Sequence, residues 1–168
     1  MKKTVIAVAF LTIATCSLKA QDKSSSANPN IFSIGLEAAL PIGTFGNVYS
    51  FGIGGSVQGE HKLGSTAGLT LNVGYINYSV KSGYGGGSAG IIPVMAGAKY
   101  YFTPMVYGHA QLGAAFSASK GGGTSFTYSP GIGFMLGKNF DALIKFVGFS
   151  ANGSTSNTVG ARLAYDFN

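Results

Sequence analysis

Few residues in this chain are of a type that does chemistry, and their spacing decides what they can do. There are two histidines, one cysteine, five acids and eleven Lys or Arg among 168 residues. His61 and His109 fall on separate segments with no carboxylate cluster beside either, so the spacing offers neither a metal site nor a general-base pair. Cys16 stands alone, which excludes a disulfide within the chain and any cysteine-based metal site. Gly83–Gly90 and Gly121–Gly123 are glycine-rich. Neither follows a strand and opens a helix, as a phosphate or dinucleotide loop requires, and both read as surface loops. What remains is a set of ionic and polar residues, Glu37, Gln58, Thr70, Lys99, His109, Lys145 and Arg162, that share one parity along their segments. No cofactor, metal or catalytic constellation is expected.

The elements that must position these residues follow from a period of two. Phe32, Ile34, Leu36, Ala38, Leu40 and Ile42 alternate with Ser33, Gly35, Glu37 and Ala39. The same alternation recurs from Tyr49 to His61, Thr66 to Tyr78, Ile91 to Phe102, Val106 to Ser117, Ser125 to Leu136, Phe140 to Phe149 and Val159 to Phe167. The seventh segment is the weakest, because Leu143, Val147 and Phe149 lie on its supposedly polar face. Each segment is long enough for a tilted strand to cross a bilayer. Lys62–Ser65, Thr103-Pro104 and Gly137–Asn139 read as short turns. Pro41–Val48, Ser79–Gly90, Ala118–Thr124 and Ser150–Asn157 read as longer loops on the opposite side, which puts both chain ends on the short-turn, periplasmic side.

Composition selects between a soluble sheet and a membrane barrel. Charged residues are 10% of the chain, against about 25% in an average soluble protein. The 27 glycines argue against long helices. Nine Tyr and twelve Phe, with no Trp, argue against disorder. Tyr49, Tyr75, Tyr100, Phe102, Phe126, Tyr165 and Phe167 stand near segment ends, where interfacial girdles place aromatics. Lipid offers the backbone no hydrogen-bond partner, so strands within it must close on themselves. The expectation is an all-β fold, an eight-stranded antiparallel up-and-down transmembrane β-barrel over residues 31–168.

In such a barrel Glu37, Gln58, Thr70, Lys99, His109, Lys145 and Arg162 point inward as one polar layer. Closure makes the first and last strands neighbours, which predicts an ion pair between Glu37 and Arg162. Counted this way, the layer holds one acid against three permanent cations, a balance that suits an enclosed anion or water. Inward glycines such as Gly35, Gly52, Gly97 and Gly133 leave room for a narrow channel.

The N-terminus reads separately. Met1-Lys2-Lys3, an apolar run from Thr4 to Thr15 and Ser17–Ala20 have the anatomy of a secretory signal peptide over residues 1–20. Residues 21–30 then form a polar periplasmic tail. Cys16 leaves with the signal unless it is lipidated. Removing residues 1–20 takes Lys2, Lys3 and Lys19 away and lowers the net charge from +6 to +3, so the basic pI is no argument for nucleic-acid binding.

With these residues laid out, the chain resembles the small outer-membrane β-barrel family, the OmpA/OmpX-like group of porin-family proteins. The resemblance rests on the export signal, the strand count, the stretch Ile92–Phe102 and the terminal strand Val159–Phe167. It implies a place in the cell outer membrane of a Gram-negative bacterium, surrounded by its lipid. It also implies recognition of Tyr165 and Phe167 by the barrel-assembly machinery, although Asn168 follows Phe167 here. The family includes adhesins, anchors and assembly factors, so the resemblance implies a structural or surface-interaction role, with an extracellular ligand reached through the loops. A narrow channel or small-ligand barrel using the basic layer is the alternative, and a lipid-modifying enzyme a more distant one.

Overall fold

A computed structural model describes residues 29–119 and 121–167. The expected signal peptide with Cys16, most of the expected polar tail, Lys120 and Asn168 lie outside the described residues. Eight antiparallel strands make one closed barrel in sequence order: β1 (Asn30–Ile42), β2 (Tyr49–Lys62), β3 (Ala67–Val80), β4 (Ser88–Tyr101), β5 (Val106–Ser117), β6 (Thr124–Met135), β7 (Phe140–Ala151) and β8 (Ser154–Phe167). A short helix, α1 (Gly43–Val48), joins β1 to β2. No helix among the described residues is long and apolar enough to cross a membrane.

Closure requires tilted strands and a staggered register. Following hydrogen-bonded partners once round the barrel from Phe32, through Gly59, Leu71, Ala96, Leu112, Tyr128, Gly148 and Asn157, returns to Ile42, ten residues further along β1. The sequence alternation maps onto the two faces of this wall. Leu36, Leu71 and Leu163 are 71%, 59% and 50% exposed on the outside, whereas Glu37, Lys99 and Arg162 are each 3% exposed within. That polarity is inverted relative to a soluble protein, and hydrocarbon is the solvent it suits. Tyr75, Tyr100, Phe102, Phe126, Tyr165 and Phe167 stand exposed on the same outer face.

Tyr49 departs from the expected girdle. The β2–β3 register shifts between Tyr49 and Phe51, and beyond that irregularity Tyr49 packs with Phe45 of α1, ring centroids 4.5 Å apart, against buried Tyr78. The loops on the end remote from the chain termini, here the far end, are shorter than the sequence suggests. Strands β3 and β4 run to Val80 and from Ser88, and β7 and β8 leave only Asn152-Gly153 between them. Both residues of that turn have positive φ, 50° and 77°, which suits the Asn-Gly pair of a tight hairpin. Polar Ser, Thr and Asn at strand ends read as loop in the sequence, yet they pair in the sheet.

The weak alternation of β7 also has a physical reason. Its inward face changes character along its length, from Asp141 and Lys145 to Val147 and Phe149, all buried. Val147 and Phe149 pack with Ala115 and Ile91, and Ala39, Ile76 and Tyr78 form a second apolar cluster with Phe45, Tyr49 and Ile91. The far end of the lumen is therefore an apolar plug with α1 lying over it.

The inward glycines do not leave room. A Cβ on Gly133 would sit 2.0 Å from the Tyr107 ring, on Gly52 2.8 Å from Tyr78, on Gly35 2.7 Å from Arg162 and on Gly68 2.6 Å from Glu60. Each missing side chain is the space a neighbour's large one occupies, which removes the basis for a channel through those positions. Gly133→Ala is expected to cost about 1–3 kcal/mol through overpacking. Gly59→Ala, with nothing within 4 Å of the new Cβ, should unfold in urea at nearly the wild-type midpoint. Equal midpoints for the two variants in lipid vesicles would contradict this packing.

Candidate functional site: the ionic lumen

The residues singled out from the sequence do not form one layer. They separate into two clusters, joined by a wider set of acids than the sequence count suggests. The first cluster spans the closing seam. Glu37 and Arg162 are register partners on β1 and β8. Arg162 Nε lies 3.7 Å from Glu37 Oε1, while Lys145 Nζ, reaching from β7, lies 2.9 Å from Oε2. The Lys145 chain runs past Gly160 on β8, its Cε 3.5 Å from the position a Cβ there would take, an ordinary contact distance. Ser56 on β2 donates to Glu37 Oε1 at 2.8 Å and accepts from Arg162 Nε at 2.8 Å; Arg162 Nη2 donates to Ser33 Oγ at 3.0 Å. Four strands, β7, β8, β1 and β2, are thus stitched across the seam.

The second cluster centres on Lys99. Its Nζ is 3.0 Å from Glu60 Oε2 and 3.0 Å from Asp141 Oδ2, and 4.4 Å from the centroid of the Tyr107 ring. Tyr101 Oη donates to Glu60 Oε1 at 2.6 Å, and Tyr107 Oη donates to Asp141 Oδ1. These groups come from β2, β4, β5 and β7 and meet across the lumen. His109 is buried beside them, its Nε2 2.9 Å from Thr70 Oγ1. Gln58 is buried between its register partners Ser33 and Asn72.

The expected balance of one acid to three cations is corrected. Glu37, Glu60, Asp141 and Asp166 are all buried, against Lys99, Lys145 and Arg162. Glu60 and Asp141 lie within two residues of their strand ends, and counting from strand ends assigns them to the rim. Side-chain reach overrides that count, because Lys99 brings both acids together at its ammonium group. The parity of Glu60, Asp141 and Asp166 was the signal available in the sequence. With acids in the majority, the lumen is no basic pocket for an anion.

Between the ionic clusters and the apolar plug lies a zone of uncharged polar side chains. Asn72 Nδ2, Gln111 Nε2, Thr127 Oγ1 and Ser129 Oγ are buried there without a hydrogen-bond partner among the described residues. His61 is elsewhere, exposed at the rim carrying the chain termini, with Nδ1 2.8 Å from Asn30 Oδ1. Phe167 is also at that rim, its ring 5.0 Å from Tyr165 and 6.1 Å from Phe32 across the seam. No group of three or more His, Cys, Asp or Glu among the described residues could hold a metal ion.

No family model matches the chain, and no curated protein matches it in sequence. Solved structures match it in fold. The Yersinia pestis outer membrane protein Ail, in a phospholipid bilayer nanodisc, superposes with a TM-score of 0.60 at 16% identity, over 82% of this chain and 99% of that one. Ail in complex with the heparin analogue sucrose octasulfate gives 0.58 at 18% identity, over 82% and 97%. The N-terminal β-barrel domain of Pseudomonas aeruginosa OprF gives 0.58 at 15%, over 82% and 97%. A de novo designed transmembrane β-barrel gives 0.53 at 12%, over 86% and 100%. At these identities the likeness is one of fold: this chain is an eight-stranded barrel of the outer-membrane kind.

Two outcomes are expected from the clusters. Lys99→Met strands two buried carboxylates and should cost about 3–5 kcal/mol. The triple variant Lys99→Met, Glu60→Gln, Asp141→Asn should recover most of that loss in urea unfolding from vesicles. For the seam, Glu37→Ala and Arg162→Ala should be non-additive, the double variant losing about 1–3 kcal/mol less than the two single losses combined. Strict additivity would remove the pair as an energetic unit.

Proposed function

We propose that this chain is a non-catalytic outer-membrane protein of a Gram-negative cell, exported through a signal peptide at residues 1–20 and acting as a closed barrel with a structural or surface-interaction role. The observation that carries the reading is the inverted polarity of the wall. Large apolar side chains cover the outside, and every acid among the described residues is buried within. In this reading the rim with the chain termini faces the periplasm. Residues 21–30 lead into the barrel there, and Tyr165 and Phe167 present an aromatic terminal strand to the assembly machinery.

The interior supports a plug rather than a pore or an active site. An eight-stranded lumen is just wide enough for side chains to fill, and here two ion-pair clusters and an apolar plug fill its two ends. His109 is engaged with Thr70, and among the described residues no Ser or Cys is hydrogen-bonded to its ring. On the outer side, the sequence places two lysines in the connections, Lys81 and Lys120, and Lys81 Nζ donates to Gly46 O at 2.7 Å. The Ail complex shows that protein with a highly sulfated sugar analogue. Besides these lysines, this chain's outer connections offer hydroxyls, glycines and exposed Tyr84 for a surface contact.

Cell fractionation with gel migration before and after heating tests the location and fold together. The chain is expected in the outer-membrane fraction, migrating differently when unheated. Recovery as a soluble periplasmic protein would overturn the reading. In planar bilayers the wild type should give no steady conductance levels; sustained open levels would replace the plug with a channel.

A further inference from the structure

We propose that β6 is the yielding strand of this barrel and that the wall opens sideways at Pro130, between β6 and β7. The proposal goes beyond the reading given under Proposed function and takes from it only that the wall lies in lipid. β6 has no charged residue. The two ionic clusters and the Thr70–His109 bond tie each of the other seven strands to another strand. Among the described residues, β6 alone brings no side chain into such a bond. Two of its inward hydroxyls, Thr127 Oγ1 and Ser129 Oγ, are buried without a partner. Backbone pairing and packing are what hold it.

That pairing is broken on one side. The β6–β7 register runs from Phe126↔Ser150 to Tyr128↔Gly148 and resumes at Gly131↔Lys145. It is the same before and after the break, so no inserted residue explains it. Ser129 and Pro130 stay paired with Gln111 and Ala110 of β5. Proline has no N–H to give to a ladder, which makes a central strand an unfavourable place for it. On the outer wall an apolar groove of about 460 Å³ lies over the break. Pro130, Ile132, Ile144 and Phe146 line it, and its lining extends to Gly131 and Lys145, whose strand positions face inward. Rings clamp β6 on either side: Tyr128 lies over Gly148 towards the far end, and Tyr107 over Gly133 towards the chain termini. Movement is thereby confined to residues 129–131. Parting of the strands there joins the outer groove to the neutral polar zone of the lumen and admits water to amides that the closed wall seals.

A second proline break supplies the contrast. The β3–β4 pairing lapses between Val73↔Val94 and Ile76↔Ile91, opposite Pro93. There Pro93 is buried on the inner face. The Tyr75 ring reaches across onto Gly90, its Oη 2.6 Å from the position a Cβ there would take. β3 is also tied to β5 by the Thr70–His109 bond. A missing N–H is common to both breaks; an untied strand and an open groove meet at β6.

Residue-resolved hydrogen–deuterium exchange of the full chain in phosphatidylcholine nanodiscs tests this, with heat-modifiable migration as a separate readout of insertion. Amides within residues 128–131 and 145–148 are expected to exchange about tenfold faster than those within 73–76 and 91–94, the scale of one hydrogen-bonded tie between strands. Pro130→Val returns an N–H to the ladder and should slow exchange at 145–148 to the β3–β4 level; Pro130→Ala is the second variant and should do the same. Equal exchange at the two breaks, or fast exchange at β6–β7 that persists in both Pro130 variants, overturns the proposal. Failure of the wild type to insert at all would instead strike the membrane-barrel reading.

Discussion

Everything in this molecule follows from the pairing of β1 with β8. A strand in hydrocarbon cannot leave its N–H and C=O groups unpaired, because lipid provides no substitute partner and each orphan costs several kcal/mol. Eleven register pairs from Phe32↔Phe167 to Ile42↔Asn157 close that edge. Closure fixes strand number and stagger, and these fix the lumen's width. The width then dictates that side chains must fill the interior. The ionic residues are consequences of the same constraint, since a charge that cannot reach water outside has to find a counter-charge inside. Buried ion pairs are poor contributors to net stability. Their placement here, with Glu37, Arg162 and Lys145 bound across the seam, points to register as the property they serve. A one-residue slip of β8 against β1 would turn Arg162 out into lipid.

Glycine and aromatic content express one packing rule rather than two compositional oddities. Inside, Tyr107 lies where Gly133 lacks a side chain and Tyr78 where Gly52 does. Outside, the Tyr128 ring covers Gly148, with its nearest ring atom 2.4 Å from the missing Cβ, and Tyr75 covers Gly90. On both faces a ring on one strand lies over a glycine on the next. The covering ring shields backbone that a glycine would otherwise expose, and pins the neighbouring strand. The 27 glycines are thus compatible with a densely packed wall.

The fold was legible in the sequence because a period of two survives wherever one face is uniformly apolar. In β1 and β8 outward Phe, Ile, Leu and Val alternate with small or ionic inward residues; β1 stands where that pattern puts it, and β8 includes the expected Val159–Phe167 but begins earlier, at Ser154. Legibility failed where the inner face changes chemistry. Val147 and Phe149 look like errors in β7 until the far lumen is known to be apolar. It failed again at Tyr49, because an irregularity in β2 pairing has no local signature that separates it from ordinary alternation. Glu60, Asp141 and Asp166 had the right parity, and Lys99's reach decided their partners. A side chain's reach across a lumen belongs to the closed barrel and to no single segment.

That the same architecture superposes on a designed transmembrane barrel and on natural ones separates fold from function. The wall and its filled lumen satisfy the physics of crossing a bilayer and require no ligand to do so. Specific behaviour must then arise where this chain departs from that minimum, and the departures lie at the two rims. One rim carries exposed lysines beside exposed leucines, and the other a helix, a tight Asn-Gly hairpin and glycine-rich connections. A barrel whose interior is locked by Lys99 at one end and plugged by Tyr78 and Phe149 at the other acts on its surroundings through its rims and its outer wall. Chemistry inside it serves chiefly to keep that wall in register.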